Sequence, residues 1–268
     1  KTEYAYTTGS LGAVVCTVNY GYGDASWSDL LTSIDGQSLT ADEIGNLLSD
    51  GTWAYTWQHG RQLAGMSKSG TNIAYGYDSD GKRITKTVNG TTYNYSTLAG
   101  KVMRQQWGSK SLEFVYDDGN QPFAMIYNDG STTTLYYYVL NAQGDVIALL
   151  NANGTLAASY NYGAWGNYSV HGADGKKTTD ATFIGHINPL RYRGYYYDRE
   201  TRLYYLQSRY YDFANCRFIN ADTFATTDAN GFLSANMFAY CENNPIMRVD
   251  ADGEIWNVIA GAVIGAGL

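Results

Sequence analysis

The sequence predicts an all-β chain made of repeated antiparallel hairpins, with little helix. Three observations lead there. The 268 residues include 26 Tyr and 30 Gly but only 3 Pro, and charged residues make up 16%. Tyrosine favours a pleated, half-buried surface and glycine favours tight turns, so the mixture points to many short strands. A motif also recurs: aromatic, any residue, aromatic, a polar residue or Asp, a short gap, then Gly and an apolar stretch.

The clearest copy is Tyr75-Gly76-Tyr77-Asp78-Ser79-Asp80-Gly81. Others begin at Tyr55, Tyr93, Phe114, Tyr136 and Tyr160. Their expected turn glycines, Gly60, Gly81, Gly100, Gly119, Gly144 and Gly166, lie 19 to 25 residues apart, which fits two strands and two turns per unit. Alternate residues of a strand share a face, so Tyr-x-Tyr places two rings together. Asp accepts nearby backbone N–H groups while Gly takes positive φ, which closes the hairpin. One hairpin is marginal alone, whereas stacked hairpins bury one another's rings. A long twisted sheet then coils or closes, which predicts a spiral.

One stretch carries competing signals. Thr40 and Glu43 form a capping-box pattern ahead of Ile44, Leu47 and Leu48, spaced for a short helix. The same residues also fit the repeat, with Ala41 in the aromatic slot followed by Asp42 and Gly45, and the repeat is the expectation. Residues 24–37 are looser and leave room for a helical turn near Trp27.

The formal net charge is −7. The only dense basic stretch, Arg191, Arg193, Arg199, Arg202 and Arg209, alternates with tyrosines, so an internal structural role is expected and nucleic acid is not a predicted partner. Cys16, Cys216 and Cys241 lack C-x-x-C spacing and are odd in number, so no disulfide framework is expected. His59, His171 and His186 stand singly, and neither metal nor other cofactor is expected. No G-x-S-x-G or phosphate-loop pattern occurs. The first residues, Lys1-Thr-Glu-Tyr-Ala-Tyr6, read as strand with no leader pattern, so targeting information is expected elsewhere in a longer protein.

The copies resemble the YD repeats of Rhs and wall-associated proteins and of the C component of insecticidal Tc toxins. The most specific stretch is Asn188-Pro189-Leu190-Arg191-Tyr192-Arg193-Gly194-Tyr195-Tyr196-Tyr197-Asp198, then Leu203-Tyr204-Tyr205, Arg209-Tyr210-Tyr211-Asp212 and Arg217-Phe218-Ile219-Asn220-Ala221-Asp222. It is similar to the Rhs repeat-associated core. The resemblance implies three regions: a YD-repeat β-shell segment over 1–185, an end-sealing core over 186–254, and an apolar start of a toxin linker over 255–268. It implies a hollow shell that encapsulates a covalently linked C-terminal toxin, preceded by further repeats and secreted or held at the cell surface or cell wall. The alternative is a surface module that binds glycan or a protein partner through exposed rows of aromatics. Trp53, Trp57, Trp107 and Trp165 discriminate: rings exposed in a line favour binding, inward rings the shell.

In many members of this family the core also carries an aspartyl autoprotease, a single-turnover activity on its own chain. Two carboxylates sharing a proton activate water against the scissile carbonyl. Asp222 matches the first position and Asp250 the second, within Asp250-Ala251-Asp252-Gly253-Glu254. Ala251 stands where the family has Pro and Glu254 where it has Leu, and the loop over 226–234 is longer than in the nearest pattern. Asp252 is a substitute partner and Arg217 a candidate support for a carboxylate. The competing reading makes Asp222 and Asp250 turn-amide acceptors only, and turn roles are expected for Asp198 and Asp212. The tail over 255–268 has Gly261 and Gly265 at small-x-x-x-small spacing, yet 14 residues are too few to span a bilayer. A buried plug or linker is expected there, and this is the only stretch through which membrane contact is envisaged.

Overall fold

A computed structural model of the chain describes residues 2–7, 10–222, 236–254 and 256–258. Its main element is a fourteen-stranded antiparallel sheet. The strands follow chain order without a crossover, from Thr40–Ala41 to Tyr168–His171. Four short strands, Tyr196–Asp198, Leu203–Tyr205, Tyr210–Asp212 and Arg217–Phe218, make a second sheet packed on one face of the first, here termed the inner face. Helix is confined, among the described residues, to one α-turn at Ile184–Ile187 and two 3-10 turns. The expected all-β repeat architecture is therefore observed.

Thr40 to Ser49 is strand, turn and strand, as the repeat requires. The Asp42 carboxylate accepts the amides of Ile44 and Asn46, and Gly45 takes φ +83°. Residues 24–37 hold no helix but a reverse turn, closed by Leu30 N–H to Trp27 O at 3.1 Å, followed by the strand Ser33–Ile34 and the hairpin of a three-stranded sheet. Five of the six expected turn glycines have φ between +75° and +87°. Gly119 is the exception, and Asn120 takes the left-handed position at +59° instead. Asn120 occupies the fourth place of its turn, counted from Asp117, as Gly81 does from Asp78. Place in the turn, not residue type, sets the requirement.

The inner face explains the tyrosines. Tyr75, Tyr95, Phe114, Tyr138 and Tyr160, the buried rings of successive copies, form one core with Leu63, Met66, Leu112 and Leu149. The third position of several copies has a further task. Tyr77, Tyr116 and Tyr162 donate their hydroxyls to the carbonyls of Leu63, Val102 and Val146 at 2.8–2.9 Å, and Trp57 Nε1–H donates to Leu47 O. Each acceptor lies just before a bulge, where one extra residue interrupts the ladder. A bulge leaves backbone groups unpaired, and an aromatic with a polar tip satisfies one while its ring joins the core. Among the bulge residues, Leu48, Ile84 and Phe123 are exposed.

The small sheet uses tyrosine doublets differently. Adjacent strand residues face opposite ways. Tyr196, Tyr205 and Tyr210 enter the core of the large sheet, while Tyr197, Tyr204 and Tyr211 form a second cluster with Phe213, Phe218 and Tyr240. The sheet changes between His171 and Tyr196, around the expected boundary at 186, but the first core spans both sides.

Asp198 departs from its expected turn role. Its carboxylate is fully buried against Arg83 and Lys86 instead of accepting turn amides, because it faces the large sheet with Tyr196. Asp212 does bind the turn amides of Ala214 and Asn215. The 226–234 loop lies outside the described residues, as do the side chains over 255–268. Among the described residues no helix is long and apolar enough to cross a membrane.

Candidate functional site

Asp222 follows the last strand of the small sheet, and Asp250 ends the strand Arg248–Asp250. One side chain joins them. Arg209 Nη2 lies 2.9 Å from Asp222 Oδ2 and 3.4 Å from Asp250 Oδ2. The guanidinium stacks 3.7 Å above the Phe218 ring, its Nε donates to Gly253 O and its Nη1 to Met237 O at 3.3 Å. Arg209 precedes Tyr210 and so shares the face of Tyr211, where residues 237–253 pack.

Asp250 is held on every side. Its Oδ1 accepts Gly253 N–H at 2.8 Å, its carbonyl accepts the Tyr195 hydroxyl at 2.6 Å, and that hydroxyl meets Tyr240 Oη at 2.9 Å. Gly253 has φ +81°, and a Cβ there would sit 2.6 Å from Ser208 Oγ and 2.9 Å from Leu206 O. Any other residue would displace the turn that carries Asp250. Burial pushes the Asp250 carboxyl up to about 6, against the opposing pull of Arg209. Burial also lowers Arg209, with Asp222 and Asp250 countering it.

The two aspartates singled out in the sequence are thus brought together. Asp250 has one oxygen on the turn amide of Gly253 and the other on Arg209. Arg217 is not part of this cluster. Its Nη1 meets Tyr22 Oη at 3.2 Å, its Nη2 donates to Asp29 O, and its guanidinium covers Phe238. Asp252 is half-buried; its carbonyl accepts Ser208 N–H and Oγ–H, and its carboxylate accepts Glu254 N–H. The arginine that reaches the carboxylates is Arg209, which the sequence placed only in a basic run. Strand parity was the available signal, because Arg209 is the one arginine directly preceding a Tyr-Tyr strand. A buried carboxyl whose pKa is raised to about 6, beside a second carboxylate on the same guanidinium, has the composition of an acid–base pair. Among the described residues no group of three or more His, Cys, Asp or Glu could hold a metal.

A second polar cluster pins the small sheet to the large one. Asp198 pairs with Arg83 at two points and with Lys86 Nζ at 2.9 Å, and Lys86 also meets Glu200 at 2.8 Å. Rings of Tyr75, Tyr95, Tyr196, Tyr205 and Tyr210 surround the Arg83 guanidinium at 4.3–5.8 Å. Trp27, Trp53, Trp57, Trp107 and Trp165 are buried or half-buried. Trp53, Trp57 and Trp107 pack with the first core and Trp165 with the second, so they form no exposed row.

The family model for the teneurin YD-shell matches residues 19–246. The chain is 35% identical over 96% of its length to the tRNA nuclease WapA of Bacillus subtilis (strain 168), and equally so to the tRNA3(Ser)-specific nuclease WapA of Bacillus spizizenii. It is 27% identical over 75% of its length to salivary gland surface protein 1 of Aedes aegypti. The match spans only 11% of either bacterial relative and 6% of the mosquito protein. Among solved structures, a TcdB2-TccC3-Cdc42 crystal structure superposes with TM-score 0.60 at 19% identity, over 94% of this chain and 13% of that one. The Tc holotoxin pore of Photorhabdus luminescens gives TM-score 0.53 at 18% identity, over 84% of this chain and 10% of that one.

Proposed function

Because the chain belongs to the teneurin YD-shell family of Rhs-type repeat shells, we propose that it is the end-closing part of a container for a covalently linked C-terminal toxin. The observation that carries this reading is the docking of residues 188–221 onto the inner face, locked by the buried Asp198 ion pairs. A segment that folds back over one face of its own sheet covers that face, as an end-closing segment would. The inward tryptophans favour this reading over a glycan- or partner-binding surface. The nuclease relatives are far longer than the matched stretch, which leaves room for both wall and cargo. Secretion or display at the cell surface fits such a delivery role.

The same reading includes one self-cleavage near the 250–254 turn. One carboxylate of Asp222 and Asp250 takes a proton from water as the water adds to the scissile carbonyl. The other carboxyl donates its proton to the leaving amine, so that one peptide bond becomes a free acid and a free amine. Arg209 is the positioning residue that holds both side chains.

The test is to express the parent chain with the residues that follow Leu268. Two bands are expected for the wild type and one for Asp222→Asn or Asp250→Asn. A single band for the wild type would remove the self-cleavage. A downstream domain digested by added protease as fast as the isolated domain would remove the container.

A further inference from the structure

The inner face is not wholly covered by the core. Beside residues 186–200 lies a cleft of about 260 Å³ lined by Lys86, Tyr93, Trp107, Lys110, Tyr127 and Arg191, with Arg199 at its rim. The first five of these sit on five consecutive strands, from Arg83–Val88 to Pro122–Asn128. At ~4.8 Å per strand the cleft runs about 19 Å, roughly six residues of extended polypeptide at ~3.3 Å each.

Two independent features give its chemistry. Tyr93, Trp107 and Tyr127 form a half-buried row of rings, with centroids 5.6 and 6.5 Å apart, a floor for apolar groups. Arg191 is fully buried between the rings of Tyr168 and Tyr197, at 4.4 Å from each. Its Nε and Nη2 bind backbone carbonyls of Asn188 and His186, but Nη1 has no hydrogen-bond partner. No carboxylate pairs with Arg191 among the described residues. A buried cation with an open donor is costly unless an anion completes it. Lys110 and Arg199, both exposed, extend the positive charge, against Glu200, which Lys86 already holds.

We propose that this cleft binds an acidic segment of polypeptide in extended form, its carboxylates meeting Lys110 and Arg199 in the field of the buried Arg191 and the neighbouring residues lying along the ring row. The same face already holds polypeptide this way, where Asp198 and Glu200 dock on Arg83 and Lys86 among tyrosines. The length of the cleft exceeds what a small anion fills. The occupant, on the container reading, is a stretch of the enclosed cargo chain.

The test titrates the full chain with a fluorescein-labelled twelve-residue peptide of alternating Glu and Tyr, with inorganic phosphate and with oligogalacturonate as separate arms. Peptide binding is expected to weaken about tenfold between low and high salt. It is also expected to weaken about tenfold in the Lys110→Glu/Arg199→Glu double variant, both sites being exposed, and in Trp107→Ala. Absence of peptide binding, equal binding by the variants, phosphate that binds as tightly as the peptide, or binding of oligogalacturonate alone would each overturn the inference. Protease protection of the downstream domain tests the container by itself. A shell that protects its cargo yet binds no acidic peptide loses only this cleft's assignment.

Discussion

The carboxylate of Asp198 and the guanidinium of Arg83, 115 positions apart, meet as a two-point ion pair with almost no solvent contact on either side. Lys86 contacts the same carboxylate, and Glu200 on Lys86 completes the charge balance. This is the bolt between the repeat sheet and the core, and its failure is unequal to its worth. Removing one partner leaves buried charge behind, which costs more than the pair contributes.

Asp198→Asn is therefore expected to destabilise the chain by about 3 kcal/mol or more, read as a lower denaturant midpoint at unchanged slope. Asp212→Asn, at a turn that keeps its side-chain acceptor, is expected to stay within about 1 kcal/mol of wild type. Equal midpoints for the two variants would contradict the bolt.

Asp250 gives a dependence on pH of opposite sign to Asp198. Its folded pKa is raised from 3.8 to about 6, so the folded state holds the proton more tightly than the unfolded. Stability from this group is greatest below pH 4, declines between about pH 4 and 6 by up to about 3 kcal/mol, and is level above that. Asp198 is depressed in the folded state by Arg83 and Lys86, which outweigh its burial, so its contribution is lost only as acid is added below its unfolded value. Stability curves of wild type and Asp250→Asn should diverge across pH 4–6. Parallel curves would show that Asp250 does not titrate there.

Tyr116→Phe keeps the ring and removes the hydroxyl that serves Val102 O. A loss of about 1–2 kcal/mol is expected, since the carbonyl beside the bulge keeps no side-chain donor. Tyr137→Phe, whose ring packs edge-on with Phe123 on the opposite face, should change stability by less than about 0.5 kcal/mol. Thermal melts of the two single variants compare them directly.

In the turn from Asp117 to Gln121, Asn120→Ala should cost about 1 kcal/mol, because Asn120 holds φ +59°. Gly119→Ala, at negative φ, should lie within about 0.5 kcal/mol of wild type. The reverse order would return the left-handed position to the glycine that the repeat pattern first suggested.

The repeats were legible because their signals are local: alternating rings on a strand, and an acid followed by a left-handed residue three places later. Asp42 with Gly45 could be resolved from a helix for that reason. The purpose of the third aromatic was not legible, since it serves a carbonyl freed by a bulge whose position follows from pairing register. Asp198 reads as a turn residue because, like Asp78, it follows a strand tyrosine, while its partners come from more than 110 residues away. Asp222 and Asp250 could be proposed only through family resemblance, as nothing in their spacing shows that one guanidinium holds both. The acceptors that claim Arg217 lie near the start of the chain, beyond the reach of local pattern.

Strict neighbour-to-neighbour order in the fourteen-stranded sheet has a consequence for synthesis. As the chain emerges, each strand finds its template already laid down, so the wall can grow one hairpin at a time without waiting for distant sequence. The bolt cannot form until Asp198 has been made. The inner face of the large sheet is therefore uncovered throughout its synthesis, and the docking of the small sheet onto it is a separate, late event timed by the ribosome.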